Sequence, residues 1–180
     1  RPPRSTLFPY TTLFRSRSVV ALVESPLGIL RAAEICAADG CEAMMWGAED
    51  LVAALDGASS RRVDGTYRDV AVHARSTALL AAKAFGRQAL DSVYLDIADL
   101  DGLRAESEDA VAVGFDAKVA LHPTQAAVIR ECYTPTADQV DWARRVVAAA
   151  ATERGVFTVD GRMVDAPVIR HAHRVLRGLG

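Results

Sequence analysis

Short apolar runs alternate with longer helical patterns along most of the chain. The runs lie at 19–24, 43–47, 92–97 and 117–121, and none shows strict alternation of apolar and polar positions. Strands of a parallel sheet are buried on both faces and have this continuous apolar character. The pattern therefore predicts a parallel sheet whose strands lie side by side in chain order and are covered by helices.

Helices are predicted between and after these runs. Ser25 and Pro26 resemble a helix start, and Thr136 with Gln139 fits a capping box. The predicted helices cover 25–40, 49–55, 68–85, 102–113, 124–132, 136–154 and 164–179, with a small strand and turn at 157–161. Residues 56–66 are polar and contain glycine, which indicates a loop longer than most connections.

Apolar stripes predict which faces of three of these helices are buried. The stripe positions are Leu27, Leu30, Ala33 and Ile35 in the first helix, Val72, Leu79, Leu80 and Ala84 in the 68–85 helix, and Val140, Ala143, Val147 and Ala150 in the 136–154 helix.

Two architectures fit alternating strands and helices: an open doubly wound sheet and part of an eight-stranded barrel. Dinucleotide binding by an open sheet would favour a glycine-rich turn after the first strand. Here that turn reads Glu-Ser-Pro-Leu-Gly from Glu24 to Gly28, so the dinucleotide-binding interpretation is weak. Periodicity alone does not separate the two architectures.

Composition and charge exclude several classes of protein. Apolar residues make up 51% and charged residues 24% of 180 residues, which is typical of a soluble globular chain. The net charge of -2 predicts neither nucleic acid nor an anionic membrane as a partner. An odd count of three cysteines without paired metal-ligand spacing favours a reducing compartment, and we expect the cytoplasm.

The first residues do not match the rest of the chain. Residues 1–16 equal, position by position, the translation of a short-read sequencing adapter, and they contain a near-repeat of Thr-Leu-Phe. We interpret 1–18 as a foreign, disordered arm joined to a truncated domain.

Two carboxylates fall where predicted strands end. Glu24 closes the first strand and Asp50 follows the second, so both are expected at the carboxyl edge of the sheet. Mg²⁺ commonly binds one or two carboxylates together with water and substrate oxygens. Both acids could instead support helix starts. Glu49 competes with Asp50, and at most one of these adjacent side chains is expected to reach an ion.

Five segments in order resemble the citrate lyase beta-subunit-like family, in the aldolase and citrate lyase superfamily of modified TIM barrels. The segments are ALVESPLGILRAAEI, MMWGAEDLVAAL, LDSVYLDIADLDGLRAE, GFDAKVALHPTQ and VDGRMVDAPVIRHAHRVL. The resemblance implies an α/β fold, a partial TIM (β/α)8 barrel with about the last four strand–helix units plus a C-terminal helical extension. It places the half barrel at 19–134 and the extension, or lid, at 135–180.

The resemblance implies a magnesium-dependent carbon–carbon lyase acting on CoA thioesters of hydroxy or keto acids, citryl-CoA or malyl-CoA like. Glu24 and Asp50 match the family's magnesium ligands, and Gly47-Ala48-Glu49 matches a loop whose backbone helps hold the substrate carboxylate. Alternatives are a pyruvate-type class II aldolase of the same superfamily and an inactive truncated half barrel.

Further residues receive roles from the same resemblance. Asp165 matches an aspartate that serves as the general base across a subunit interface, although it also fits a helix N-cap. His122 and Pro123 match a pair that lines the mouth of the active site, and His122 could equally be a structural imidazole. A homo-oligomer is implied, a trimer or hexamer in the full-length family. Arg61 and Arg62 could meet CoA phosphates, but a solvated loop is the favoured interpretation.

Overall fold

A computed structural model of the chain describes residues 18–178. The interpretation of 1–18 as a foreign arm lies, except for Ser18, outside the described residues, as does the predicted end of the last helix at Leu179. The chain divides into two compact units, Arg1–Ile129 (unit 1) and Arg130–Gly180 (unit 2).

The sheet of unit 1 consists of four parallel strands. They are β1 (Val19–Val23), β2 (Cys41–Trp46), β3 (Gln88–Asp91) and β4 (Ala117–Lys118), paired in the order β1-β2-β3-β4. The α/β class, the parallel pairing and the strand order are confirmed. Because all strands run the same way, the residues that follow them share one edge of the sheet, here called the carboxyl edge.

The predicted strand at 92–97 is wrong, because the third strand lies earlier, at Gln88–Asp91. Residues 92–94 form no regular structure, and side chains hold this segment from outside the sheet. Gln125 Nε2 donates to the Tyr94 carbonyl at 2.9 Å, and Tyr94 Oη donates to Asp99 at 2.6 Å. The apolar pattern alone could not distinguish this anchored segment from a strand.

Helices follow the strands as the sequence predicted, with shifted ends. In chain order they are α1 (Pro26–Leu30), α2 (Ala32–Ala37), α3 (Ala48–Ala54), α4 (Asp69–Ala84), α5 (Leu100–Val113) and α6 (Pro123–Tyr133). The single helix expected over 25–40 is two short helices that meet at Arg31.

The predicted buried stripes of unit 1 are wrong. In α4, Val72 is 46% exposed and Leu80 is 70% exposed, and in the first helices Leu27 and Leu30 are exposed as well. The buried face of α4 consists of alanines: Ala71, Ala74, Ala78, Ala81 and Ala82. Small side chains allow α4 to lie close to β2, β3 and α2. The small volume of these side chains, and not their hydrophobicity, therefore determines which face of α4 is buried.

The described part of unit 2 contains the last residues of α6, two further helices and a hairpin. The further elements are α7 (Ala137–Ala150), β5 (Phe157–Val159), β6 (Arg162–Val164) and α8 (Ala166–Arg177). The predicted capping box is confirmed, since Thr136 Oγ1 accepts from Gln139 N and Gln139 Oε1 accepts from Thr136 N. The last helix begins later than predicted because residues up to Val164 pair with β5.

The core of unit 2 is apolar. Its buried members are Val140, Ala143, Val146, Val164, Ala172 and Val175. Two of the predicted stripe positions of α7, Val140 and Ala143, belong to this core, and Val147 packs against it. Over residues 18–178, no helix has both the length and the apolar character that crossing a membrane requires.

Candidate active site

Glu24 lies directly after β1, at the carboxyl edge, where active sites of parallel α/β proteins are built. Its side chain lies against the backbone that follows β2. A Cβ atom added at Gly47 would come within 3.0 Å of both Cβ and Oε2 of Glu24. A glycine at position 47 therefore leaves the room that the Glu24 carboxylate occupies.

Asp50 lies in the first turn of α3, which starts immediately after Gly47. The pKa of the Glu24 carboxyl is raised, first by desolvation and then by the negative charge and side-chain contact of Asp50. Both carboxylates therefore lie at the carboxyl edge, as the strand ends predicted, and the Asp50 charge acts on Glu24. Neighbouring carboxylates favour protonation of one of them, or a cation between them.

Glu49 points to a different partner. Its Oε1 accepts a hydrogen bond of 2.5 Å from Ser60 Oγ, and the Ser60 side chain is buried. Within residues 18–178, no group of three or more histidine, cysteine or acidic residues is arranged to hold a metal. An ion at this edge would therefore depend on the Glu24 and Asp50 carboxylates and on oxygens from water or substrate, a donor set that suits Mg²⁺.

The start of α3 presents backbone amides beside these carboxylates. Gly47 is the N-cap residue, and no side chain caps the helix there. Ala48 is buried and Glu49 is exposed. The Gly47 amide donates to the Val23 carbonyl at 3.0 Å. The amides of the first helical turn that follows have no partners within the helix, so they are available to an oxygen acceptor.

His122 lies between β4 and α6, directly before Pro123. His122 is exposed, and its Nδ1 lies 2.9 Å from Thr124 Oγ1 and accepts from Thr124 N at 3.3 Å. Pro123 is the first residue of α6. Sequence reasoning missed Gln125, a fully buried amide whose Oε1 accepts from Leu121 N at 2.8 Å and which also holds the Tyr94 carbonyl.

Asp165 belongs to unit 2 and caps α8. Its Oδ1 accepts a hydrogen bond from Val168 N at 3.2 Å, with Pro167 in the first turn of the helix. The N-cap interpretation is confirmed. The role of general base stays a prediction.

A buried charged network that the sequence analysis missed lies beneath the carboxyl edge. Lys118 Nζ donates to Asp91 at 3.0 Å and to Glu106 at 2.8 Å, and the Lys118 and Asp91 side chains are 0% exposed. Arg75 and Trp46 also donate to Asp91. A signal was present in the sequence, because one of only two lysines stands inside a predicted strand.

The basic groups of this network favour the ionised form of Asp91. Burial acts to raise the pKa of the Asp91 carboxyl, but Lys118 and Arg75 outweigh burial and keep that pKa below its usual value. Lys118 therefore compensates two acids at once, Asp91 and Glu106.

Arg61 extends the network into the long loop. Its guanidinium forms an ion pair of 2.8 Å with Glu106 and stacks on the Tyr67 ring, 3.9 Å from the centroid. The Arg61 side chain is only 23% exposed, so the expectation of a solvated loop is wrong at this position. Arg62 pairs with Asp69 at 2.7 Å near the surface.

Known protein families and individual proteins match this chain in sequence. The family model described as HpcH/HpaI aldolase/citrate lyase matches residues 13–123. The citrate lyase subunit beta-like protein of Mycobacterium tuberculosis is 58% identical over 164 residues, covering 91% of this chain and 60% of the relative. The mitochondrial citramalyl-CoA lyase of Mus musculus is 33% identical over 172 residues, covering 88% of this chain and 49% of the relative.

A solved structure has the same fold. The crystal structure of the M. tuberculosis protein CitE in complex with magnesium, acetoacetate and coenzyme A superimposes with a TM-score of 0.84 at 58% identity. The alignment covers 91% of this chain and 61% of that protein. The chain spans about half to three fifths of the length of the relatives it matches.

Proposed function

We propose that this chain, which belongs to the HpcH/HpaI aldolase/citrate lyase family, forms part of a magnesium-dependent carbon–carbon lyase acting on CoA thioesters of hydroxy or keto acids. The observation that carries the proposal is the position of two carboxylates at the carboxyl edge of a parallel sheet: Glu24 lies directly after β1, and Asp50 lies in the first turn of the helix that follows β2. Burial and the Asp50 charge raise the pKa of Glu24, which supports their proximity. Relatives named as lyases, and a similar structure that holds magnesium and coenzyme A, support it.

Glu24 and Asp50 would hold the ion, because their carboxylate oxygens are its preferred donors and no other described acid joins them. The chemistry supplied by a bound Mg²⁺ is Lewis-acid stabilisation of negative charge on the keto or hydroxy oxygen of the substrate. In the loop Gly47-Ala48-Glu49, the backbone amides of Ala48 and Glu49 would bind the substrate carboxylate beside it, while the Gly47 amide donates to the Val23 carbonyl at 3.0 Å and fixes the loop to β1.

Carbon–carbon bond formation requires removal of a proton from the carbon next to the thioester, and cleavage requires its return. Asp165 is proposed for this transfer, supplied by a neighbouring copy in a homo-oligomer. His122, exposed between β4 and α6, would line the mouth through which the thioester enters. Substrates of the citryl-CoA or malyl-CoA kind satisfy these roles, since each carries a carboxylate, an adjacent oxygen and a thioester.

The same proposal covers the architecture. We propose that 19–134 is the second half of a TIM (β/α)8 barrel and that 135–180 is a C-terminal helical extension or lid. The parallel order β1-β2-β3-β4 supports a barrel segment. Residues 1–18 are proposed to be foreign to this domain.

The experiment is a thermal and chemical unfolding series with and without Mg²⁺. Binding to the folded state only should stabilise the chain by about 2.7 kcal/mol at a hundredfold excess over Kd. Glu24→Gln and Asp50→Asn should abolish this gain, whereas Glu49→Gln should keep most of it. Equal stabilisation of the Glu24→Gln variant and the unaltered chain would overturn the proposed site.

An activity assay separates the alternatives. Cleavage of malyl-CoA or citryl-CoA with release of acetyl-CoA supports the lyase, and cleavage only of CoA-free hydroxy keto acids to pyruvate supports the pyruvate-type aldolase. Magnesium-dependent stabilisation without any turnover would identify an inactive half barrel.

A further inference from the structure

The imidazole of His122 is exposed at the carboxyl edge, yet one of its two nitrogens has a fixed partner. Nδ1 accepts a hydrogen bond from Thr124 N at 3.3 Å and lies 2.9 Å from Thr124 Oγ1. A backbone N–H can only donate, so Nδ1 must supply a lone pair. From these partners we assign the proton of the neutral ring to Nε2.

The other ring nitrogen is unused. Among residues 18–178, Nε2 of His122 has no hydrogen-bond partner. The neutral ring therefore offers one N–H donor at the edge of the sheet where active sites of parallel α/β proteins are built.

Gln125 holds the backbone on both sides of this histidine. Its backbone N donates to the His122 carbonyl at 3.0 Å, and its side-chain Oε1 accepts from Leu121 N at 2.8 Å. Its Nε2 donates to the Tyr94 carbonyl at 2.9 Å, in the segment that follows β3. Because the Gln125 side chain is fully buried, water does not compete for these bonds. His122 thus stands on a segment that is tied to the neighbouring strand end.

The position of His122 suits the thioester end of the proposed substrate. β4 is the next strand but one from β2, and adjacent strands lie about 4.8 Å apart, so the ends of β2 and β4 are roughly 10 Å apart. The substrate carboxylate is proposed to bind at the amides that follow β2. A malyl-CoA-like substrate has only a short spacer between carboxylate and thioester, and the histidine side chain bridges the remaining gap.

We propose that His122, held as the Nε2–H tautomer, donates a hydrogen bond to the thioester carbonyl oxygen of the substrate, and that Gln125 is its positioning residue. When the base takes the proton from the carbon next to the thioester, the electron pair of that C–H bond forms the C=C bond of the enolate. The carbonyl oxygen then carries the negative charge, and His122 keeps its own proton. A donor fixed before the reaction stabilises this charge without reorganisation. The inference rests on the proposed function, because it takes the ligand to be an acyl-CoA thioester.

The tautomer is measured by NMR of the ring nitrogens in the full chain with isotope-labelled histidine. The signals of His122 are identified by their loss in His122→Gln. In the neutral ring the proton should lie on Nε2, and Thr124→Val should keep it there, because the backbone N–H that binds Nδ1 remains. A proton on Nδ1, donated to the Thr124 hydroxyl, would overturn the inference.

The donor role is measured by isothermal titration calorimetry with acetyl-CoA and with coenzyme A, which lacks the acyl carbonyl. His122→Ala should lower the ratio of acetyl-CoA to coenzyme A affinity roughly fivefold, as expected for one hydrogen bond between uncharged groups. His122→Gln, whose amide keeps an N–H donor, should lose less. His73→Ala is the matched control, since His73 is an exposed histidine within α4 and should leave the ratio unchanged.

A double-mutant cycle tests the positioning role of Gln125. Gln125→Met should lower the same ratio, because it releases Leu121 N and the Tyr94 carbonyl. Adding Gln125→Met to His122→Ala should lower the ratio no further, because Gln125 acts through His122. Additive losses would refute the positioning role.

The outcomes separate this inference from the proposed function. An unaltered chain that binds neither acetyl-CoA nor coenzyme A would overturn both. Binding of both ligands with an unchanged ratio in His122→Ala would overturn the inference alone. An equal loss of affinity for the two ligands would also overturn it, because His122 would then contact a part of the ligand other than the thioester carbonyl.

Discussion

Units 1 and 2 stabilise their interiors by different means. Beneath the carboxyl edge of unit 1, Lys118 and Asp91 are fully buried as an ion pair. The described part of unit 2 has an apolar core, and its ion pairs, such as Arg145 with Asp160 at 2.9 Å, are about half exposed. The first unit therefore adds fully compensated buried charge to its apolar core, and the described part of the second depends on packing without buried ion pairs of this kind.

This difference changes how each unit should respond to substitution. Removing one partner of a buried pair leaves an uncompensated charge, which destabilises strongly even where the intact pair contributes little. Exposed pairs contribute about 0–1 kcal/mol because water already solvates the ions. Loss of an apolar core side chain has an intermediate effect that does not depend on pH.

The largest effect is expected for Lys118→Met. This change leaves Asp91 and Glu106 without their shared cation, and the free energy of unfolding should fall by about 3–5 kcal/mol. Urea unfolding at pH 7, followed by Trp46 fluorescence in a Trp142→Phe background, measures unit 1 specifically.

The control is the other lysine. Lys83 pairs with Asp116, both partly exposed, so Lys83→Met should change the free energy of unfolding by no more than about 1 kcal/mol. Equal effects of the two substitutions would show that the buried network has no special role.

The next largest loss of stability is expected in unit 2. Val146 is fully buried in the apolar core, so Val146→Ala should lower the stability of the unit by about 2 kcal/mol through lost transfer energy and a cavity. Amide hydrogen exchange along α7 measures it. Val156→Ala is the control, because Val156 is exposed and outside the core. Protection factors that respond equally to both changes would contradict a packed core.

The same contrast explains what the sequence could predict. Apolar periodicity correctly placed the core positions Val140 and Ala143 of α7, since a helix that buries branched side chains leaves a readable stripe. It failed for α4, whose buried face is alanine, because small residues are chosen there for close approach to the sheet. Strand order and direction were predictable, whereas the segment 92–97 was not, because Gln125 and Asp99 hold it away from the ladder.

The candidate site also has one part that the sequence predicts and one part that it does not. Glu24 and Asp50 could be placed from the sequence, since parallel strands end at a common edge. The contact of Glu49 with Ser60 could not, because it depends on a loop whose conformation is set by Arg61 and Glu106, residues far apart in sequence. Contacts of this kind produce no periodic pattern in the sequence.

A pH-dependent effect tests the charge network further. The pKa of Asp91 in the folded chain lies below its usual value because Lys118 and Arg75 outweigh burial. Its contribution is therefore fully present above the unfolded-state pKa of about 4 and is lost as the pH falls through the lower folded-state pKa. Asp91→Asn should be less stable at pH 7 and should lose less further stability between pH 6 and pH 3.

Urea midpoints for unit 1 across this range provide the measurement, again with Trp46 as the probe. Leu103→Ala serves as the comparison, because Leu103 is fully buried in unit 1 and the change removes no titrating group, so its difference from the unaltered chain should stay constant with pH. Parallel acid slopes for Asp91→Asn and the unaltered chain would refute the assignment of a depressed pKa to Asp91.

The smallest expected effect concerns the capping box of α7. Thr136 Oγ1 accepts from Gln139 N at 3.2 Å, and Thr136→Ala leaves that amide without its acceptor, so unit 2 should lose about 1 kcal/mol. Thr152→Ala is the matched control. Thr152 lies just beyond the carboxyl end of the helix, and its hydroxyl donates to the Ala149 carbonyl. Hydrogen exchange should show the loss concentrated in the first turn of α7, with Trp46 fluorescence in unit 1 unchanged. A loss shared equally with unit 1 would mean that the two interiors unfold together, so that they would differ in chemistry but not in stability.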